Sequence, residues 1–269
     1  MSLSLEMHTS PEVPLEAHVL SPDHLARLSV ADIEKQTLHH GNSVQTIADF
    51  FKVSGSPANE LHLSGDFSLV KHIGHGMQSG SLNITGNVGA HLGAEMSGGR
   101  ITVDGDVGDW LAPEMSGGTV EIRGNAGHMV GSAYRGSPFG ITGGEIIIHG
   151  NARNEVGHGM RNGIIAIAGD CGDFVGVNML AGSIIVLGQP GIRAGAGMKR
   201  GSIVFMNPLE MLPTFSYSCV YQPGFLRLYL AYLQDVGLPV SDEQIAGSYK
   251  RWCGDRIELN RGEILLYDS

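Results

Sequence analysis

Twelve histidines and three cysteines are the side chains of this 269-residue chain best suited to holding a metal or acting as nucleophiles. His72 and His75 are three apart and His39 and His40 are adjacent. A zinc site needs three or four converging donors, and neither pair has them nearby in sequence. Cys171, Cys219 and Cys253 are widely separated, which makes neither a disulfide framework nor a metal ribbon and fits a reducing compartment. Asp106 and Asp109 are one carboxylate pair that could serve as the acid and base of glycoside hydrolysis; the simpler reading is a solvated pair. The chain contains no G-x-S-x-G elbow, no P-loop and no H-E-x-x-H. The glycines from Gly86 lack the spacing of a dinucleotide fingerprint, and no helix of adequate length follows them. No catalytic residue and no metal ligand is assigned. Arg193, Lys199 and Arg200, with Arg161 one face over, form a local basic set that could take an anionic ligand or a partner's acidic patch.

The segments that carry these residues repeat. Forty of the residues are glycine, about twice the average share of roughly 7%. Gly86, Gly105, Gly124, Gly150, Gly169 and Gly188 open similar units at intervals of 19, 19, 26, 19 and 19 residues. The longer interval carries an insertion around Tyr134–Gly140. A unit reads G-[N/D]-x-G-x-x-x-G-x-x-M-x-x-G-x-I-x-V, shown in full by Gly86-Asn87-Val88-Gly89, Gly93, Met96 and Gly99-Arg100-Ile101-Thr102-Val103. Pairs such as Leu82/Ile84, Ile101/Val103, Val120/Ile122 and Ile146/Ile148 alternate with other residues, the period-2 pattern of a short strand with one buried side. A unit this short has no helix and cannot bury its own apolar face, so equivalent strands must stack. The spacing predicts an all-β right-handed parallel β-helix of about seven coils over residues 65–206, on the order of 30 Å long. Asn87, Asp106, Asn125, Asn151 and Asp170 then form a polar ladder at one corner, read as turn chemistry.

Mixed α/β segments, residues 1–64 and 207–269, are expected to cap the two ends, which would otherwise present open strand edges. In the second, Phe225–Val236 has helical length, with Gly237 and Pro239 to stop it. The outward strand positions change character along the chain. Asn83, Thr102 and Glu121 give way to Ile147, Ala166, Ile185, Leu187 and Val204. An apolar band of this kind should not face water; either the Phe225–Val236 helix covers it or another subunit does. Ile147, Ala166, Ile185, Leu187, Phe225, Tyr229 and Tyr232 are the interface candidates. The net charge of −10 removes the electrostatic drive for nucleic-acid binding. No run approaches the ~20 apolar residues of a membrane span, and a cytoplasmic location is expected.

The tandem units resemble the glycine-rich domain at the C-terminal end of the glutamate synthase large subunit. They are more similar still to the gamma (C) subunit of formylmethanofuran dehydrogenase, including its counterpart in the bacterial formyltransferase/hydrolase complex. The flanks carry the latter likeness: Gly41-Asn42, Ala48-Asp49-Phe50-Phe51-Lys52-Val53-Ser54-Gly55 and Arg261-Gly262-Glu263-Ile264-Leu265. The resemblance implies a scaffold subunit of a one-carbon-metabolism complex, with no cofactor of its own and with the chemistry on other subunits. Those subunits would hold the metal and move a formyl group from tetrahydromethanopterin to a methanofuran analogue, releasing formate. An archaeal tungsten or molybdenum enzyme is the alternative, and Arg outnumbering Lys 12 to 5 favours the bacterial complex. A stand-alone β-helix enzyme acting on carbohydrate is a second alternative; it requires a carboxylate-lined groove.

Overall fold

The computed structural model describes residues 2–268. Strands β1 (Leu3–Met7) and β2 (Leu15–Glu16) precede two short helices, α1 (Pro22–Leu25) and α2 (Val30–Glu34). The hairpin β3 (Thr37–His40) and β4 (Ser43–Thr46) runs into α3 (Ile47–Phe50) and β5 (Phe51–Gly55), so the Val44–Val53 stretch is strand, helix and strand in turn. The start of α3 is fixed by Thr46, whose backbone N–H donates to the Asp49 carboxylate at 2.7 Å. Next come β6 (Glu60–Ser64), β7 (Val70–Lys71), β8 (Ser81–Thr85), β9 (Arg100–Asp104) and β10 (Thr119–Ile122). They are followed by β11 (Glu145–Ile148), β12 (Ile164–Ile167), β13 (Ser183–Val186) and β14 (Arg200–Phe205). The chain ends with β15 (Ser216–Tyr221), α4 (Gly224–Asp235), α5 (Asp242–Ala246), β16 (Ser248–Gly254) and β17 (Arg261–Asp268).

Thirteen strands form one sheet in the order β15-β16-β17-β14-β13-β12-β11-β10-β9-β8-β6-β1-β5. It is parallel from β1 to β17 and antiparallel only at its two margins. Register follows the repeat. Leu82, Ile101, Val120, Ile146, Ile165, Ile184 and Ile203 are paired in succession, and β17 extends the row with Ile264. All of these side chains are fully buried. One corner later a second parallel ladder of single bridges links Phe67, Val88, Val107, Ala126, Ala152 and Cys171. Cys171 thus fills a core position among small apolar residues. Burial pushes its thiol up to about 12, which leaves it protonated and inert. The stack begins ahead of residue 65, because β6 and β1 already belong to it, and β17 carries it past residue 206.

The periodic methionines have a steric reason. A Cβ on Gly99 would lie 2.6 Å from the Met77 methyl, and Gly118, Gly144 and Gly182 stand in the same relation to Met96, Met115 and Met160. Each methionine fills the space over a glycine of the following unit. That glycine also holds φ near +90°, a conformation costly to any other residue. Where Ile141 replaces Met in the long unit, its Cδ1 lies at 3.3 Å from the corresponding position on Gly163.

The apolar stretch Leu15–Leu20 is strand only at its start. Only Leu15 and Glu16 pair with Val70 and Lys71, and the chain then turns, with Leu20 N–H donating to Ala17 O. On the outside of the sheet, α4 lies over the apolar band. Leu226, Leu230 and Leu233 make one buried helix face against Ile147, Ala166, Ile185 and Val204.

Candidate functional site

The corner after each strand is held by two ladders of side-chain acceptors. In the first, Asn87, Asp106, Asn125, Asn151 and Asp170 each accept the backbone N–H of the next unit, at 2.7–2.9 Å. The second was not apparent from sequence. It runs through Asp109, His128, Asn154 and Asp173, each accepting from the unit above at 2.7–3.3 Å. Asp106 and Asp109 are therefore exposed, solvated carboxylates that cap backbone groups rather than a hydrolytic acid and base. They line an open groove of about 540 Å³, but an oxygen of each is already committed to the ladder.

The apolar interface candidates divide. Ile147, Ala166, Ile185 and Leu187 are buried, the first three completely, under this chain's own α4. They are inner packing residues and not an open docking face, because the helix supplies within the chain the cover that a partner would otherwise provide. Tyr232 is half-buried, and its hydroxyl donates to Glu145 at 2.9 Å. Burial, and then this hydrogen bond to a carboxylate, push the phenol up to about 12. Phe225 and Tyr229 pack edge to face at 5.9 Å, with Phe225 exposed. Leu228, 73% exposed, is an outward residue that the pattern did not single out. Where the sheet passes from polar to apolar, buried Glu121 takes ion pairs from Arg123 at 2.8 Å and Arg100 at 3.4 Å, and lies 3.1 Å from His149 Nε2.

The basic set also divides. Lys199, Arg200 and Arg161 meet at one cavity of about 340 Å³, walled by Phe139, Leu180 and Leu259. The Arg161 guanidinium lies 4.5 Å from the centre of the Phe139 ring, so the insertion loop orients it. Lys199 Nζ is 3.8 Å from Glu258. Arg193 is elsewhere. It stands at another corner, over the Phe174 ring at 5.3 Å and beside Glu210.

The remaining concentration of titratable groups is a column of rings. His18 stacks on His72 at 4.2 Å, His72 on His91 at 4.6 Å, His91 on Trp110 at 6.2 Å and Trp110 on Tyr134 at 4.9 Å. The Tyr134 hydroxyl is 2.8 Å from His91 Nδ1. His72, His91 and Trp110 occupy one corner position per unit, each at φ of 60–65°. Burial depresses the pKa of His18, His72 and His91, and that of His72 falls to about 4. Among the described residues no three His, Cys, Asp or Glu side chains converge as a metal ligand set. No helix among them is long and apolar enough to cross a membrane.

The parallel stack of glycine-cornered units defines the class. The chain belongs to the GXGXG motif family, whose model matches residues 70–215. It is 41% identical over 83 residues to the C subunit of the tungsten-containing formylmethanofuran dehydrogenase 2 of Methanothermobacter thermautotrophicus, a match covering 29% of this chain and 31% of that protein. It is 44% identical over 80 residues to the C subunit of the molybdenum-containing enzyme 1 of the same organism, covering 29% and 20%. The aligned stretch thus spans about a third or less of these relatives. A solved structure is similar throughout: a chain of the formyltransferase/hydrolase complex of Methylorubrum extorquens, in complex with methylofuran. There the TM-score is 0.91 and the identity 27%, over 99% of this chain and 100% of that one.

Proposed function

We propose that this chain is a non-catalytic scaffold subunit of a cytoplasmic one-carbon-metabolism complex of the formyltransferase/hydrolase kind. In this reading formyl transfer from formyl-tetrahydromethanopterin to a methanofuran analogue, and release of formate, take place on other subunits that hold the metal. The observation that carries it is the end-to-end likeness to a chain of such a complex. The methanogen enzymes are the second reading, supported by higher identity confined to 29% of the chain.

We infer further that the stack winds as a right-handed parallel β-helix. The in-register ladder of β8 to β14 and the second ladder of bridges support successive turns of one coil. Parallel crossovers in one sheet are right-handed in roughly 98% of cases. Such a rod presents its corners at fixed intervals, which suits docking. Purified alone and supplied with formyl-tetrahydromethanopterin and a methanofuran analogue, the chain should neither transfer the formyl group nor release formate. Turnover by the isolated chain would overturn the proposal.

A further inference from the structure

We propose that the cavity lined by Arg161, Lys199 and Arg200 receives an acidic, extended segment of a partner polypeptide. This rests on the docking role and names the chemistry of what docks. In a chain of net charge −10, cations gather at one corner of the last units. The position held by Arg161 and Lys199 is Ser97, Ser116 or Thr142 in earlier units, and that of Arg200 is Gly98, Gly117 or Gly143. Arg261 pairs in register with Arg200 and so points to the same side of the sheet. Among the described residues no carboxylate lies within 4.0 Å of Arg161, Arg200 or Arg261, and Lys199 has only the 3.8 Å contact with Glu258. The three arginines lack an intramolecular counterion.

Their spacing selects the ligand. Arg161 and Lys199 are two units apart and Arg261 is one strand beyond Arg200, a span of about 15 Å at the usual strand separation. A lone phosphate or carboxylate is far shorter. Alternate side chains of an extended peptide recur every ~7 Å, so three acidic residues on one face reach about the same length. The walls of Phe139, Leu180 and Leu259 accept apolar groups between the charges. Arg161, laid on Phe139, presents its N–H edge without first losing rotamer freedom.

The test is fluorescence anisotropy of the full chain with a labelled decapeptide alternating Glu and Ala. The wild-type chain should bind it, and binding should weaken at least ~10-fold in R161E/R200E while the control R153E, at another corner, changes it less than ~2-fold. Raising salt from about 50 to about 200 mM should weaken it several-fold. If R161E/R200E unfolds by circular dichroism, R161Q/R200Q is measured in its place. The proposal is overturned if folded variants bind like the wild type, or if inorganic phosphate displaces the peptide at equal concentration. An oligonucleotide binding as tightly would also overturn it. If the chain co-purifies with partner subunits but ignores the peptide, the acidic segment is refuted and the scaffold role stands. If it binds the peptide but co-purifies with nothing, the scaffold role fails instead.

Discussion

His72 shows how much one corner residue can carry. It sits at φ 61°, stacked between His18 of the N-terminal segment and His91 of the next unit. Its pKa is lowered from 6.5 to about 4 by burial first, and then by His18, His91, His75 and Lys71. Between those pH values the unfolded chain binds a proton that the folded chain does not, so stability declines as pH falls from 6.5 toward 4. The ring is half-exposed, and solvent screening reduces the effect to about 1 kcal/mol. His72→Phe keeps a ring at a corner where Trp110 and Phe174 already tolerate the same φ. It should flatten the wild-type loss of stability over that range by about this amount in urea titrations at several pH values. An unchanged pH profile would assign the dependence to other groups. The column was not legible in sequence because the corner position that supplies His72, His91 and Trp110, held by Met129, Glu155, Phe174 and Arg193 in later units, repeats a backbone conformation but no residue type. The second capping ladder hid for the same reason: Asp, His and Asn all accept an N–H, and only the acceptor role repeats.

At the scale of elements, the strands were readable because one buried side with period 2 leaves a direct mark, and Leu82, Ile101, Val120 and Ile146 do lie in one layer. The helix α4 was readable from its length and its stops; the apolar face called for a cover, and the structure picks this helix over the other candidate, a second subunit. The N-terminal pairings were not. β1 joins β5 antiparallel and β6 in parallel, contacts between distant segments that no local pattern announces. The division of the basic set likewise depends on which corner each side chain occupies, and Arg193 falls on another corner than Lys199. The covering role of α4 has a measurable consequence. Leu230 is fully buried at the centre of its apolar face. Leu230→Ala should cost about 2–4 kcal/mol in chemical denaturation and expose Ile147 and Ile185 enough to raise binding of a hydrophobic dye. A loss below about 0.5 kcal/mol would mean the helix is only loosely docked.

At the scale of the molecule, the fold is a long sheet whose interior is filled by repeated aliphatic and methionine rows and whose outer band is sealed by its own helix. What remains outside is a set of regularly spaced corners, one acidic and capped, one lined by stacked rings and one basic. A surface organised in this way, in a chain that matches a member of a multi-protein complex from end to end, suits contact with other polypeptides. The most direct measurement is affinity purification of the tagged chain from its native cells followed by native mass spectrometry. The predicted result is a hetero-oligomer containing larger subunits, with formyl-transfer activity in the assembly and none in the released chain. Recovery of the chain alone, or of copies of itself only, would contradict the account.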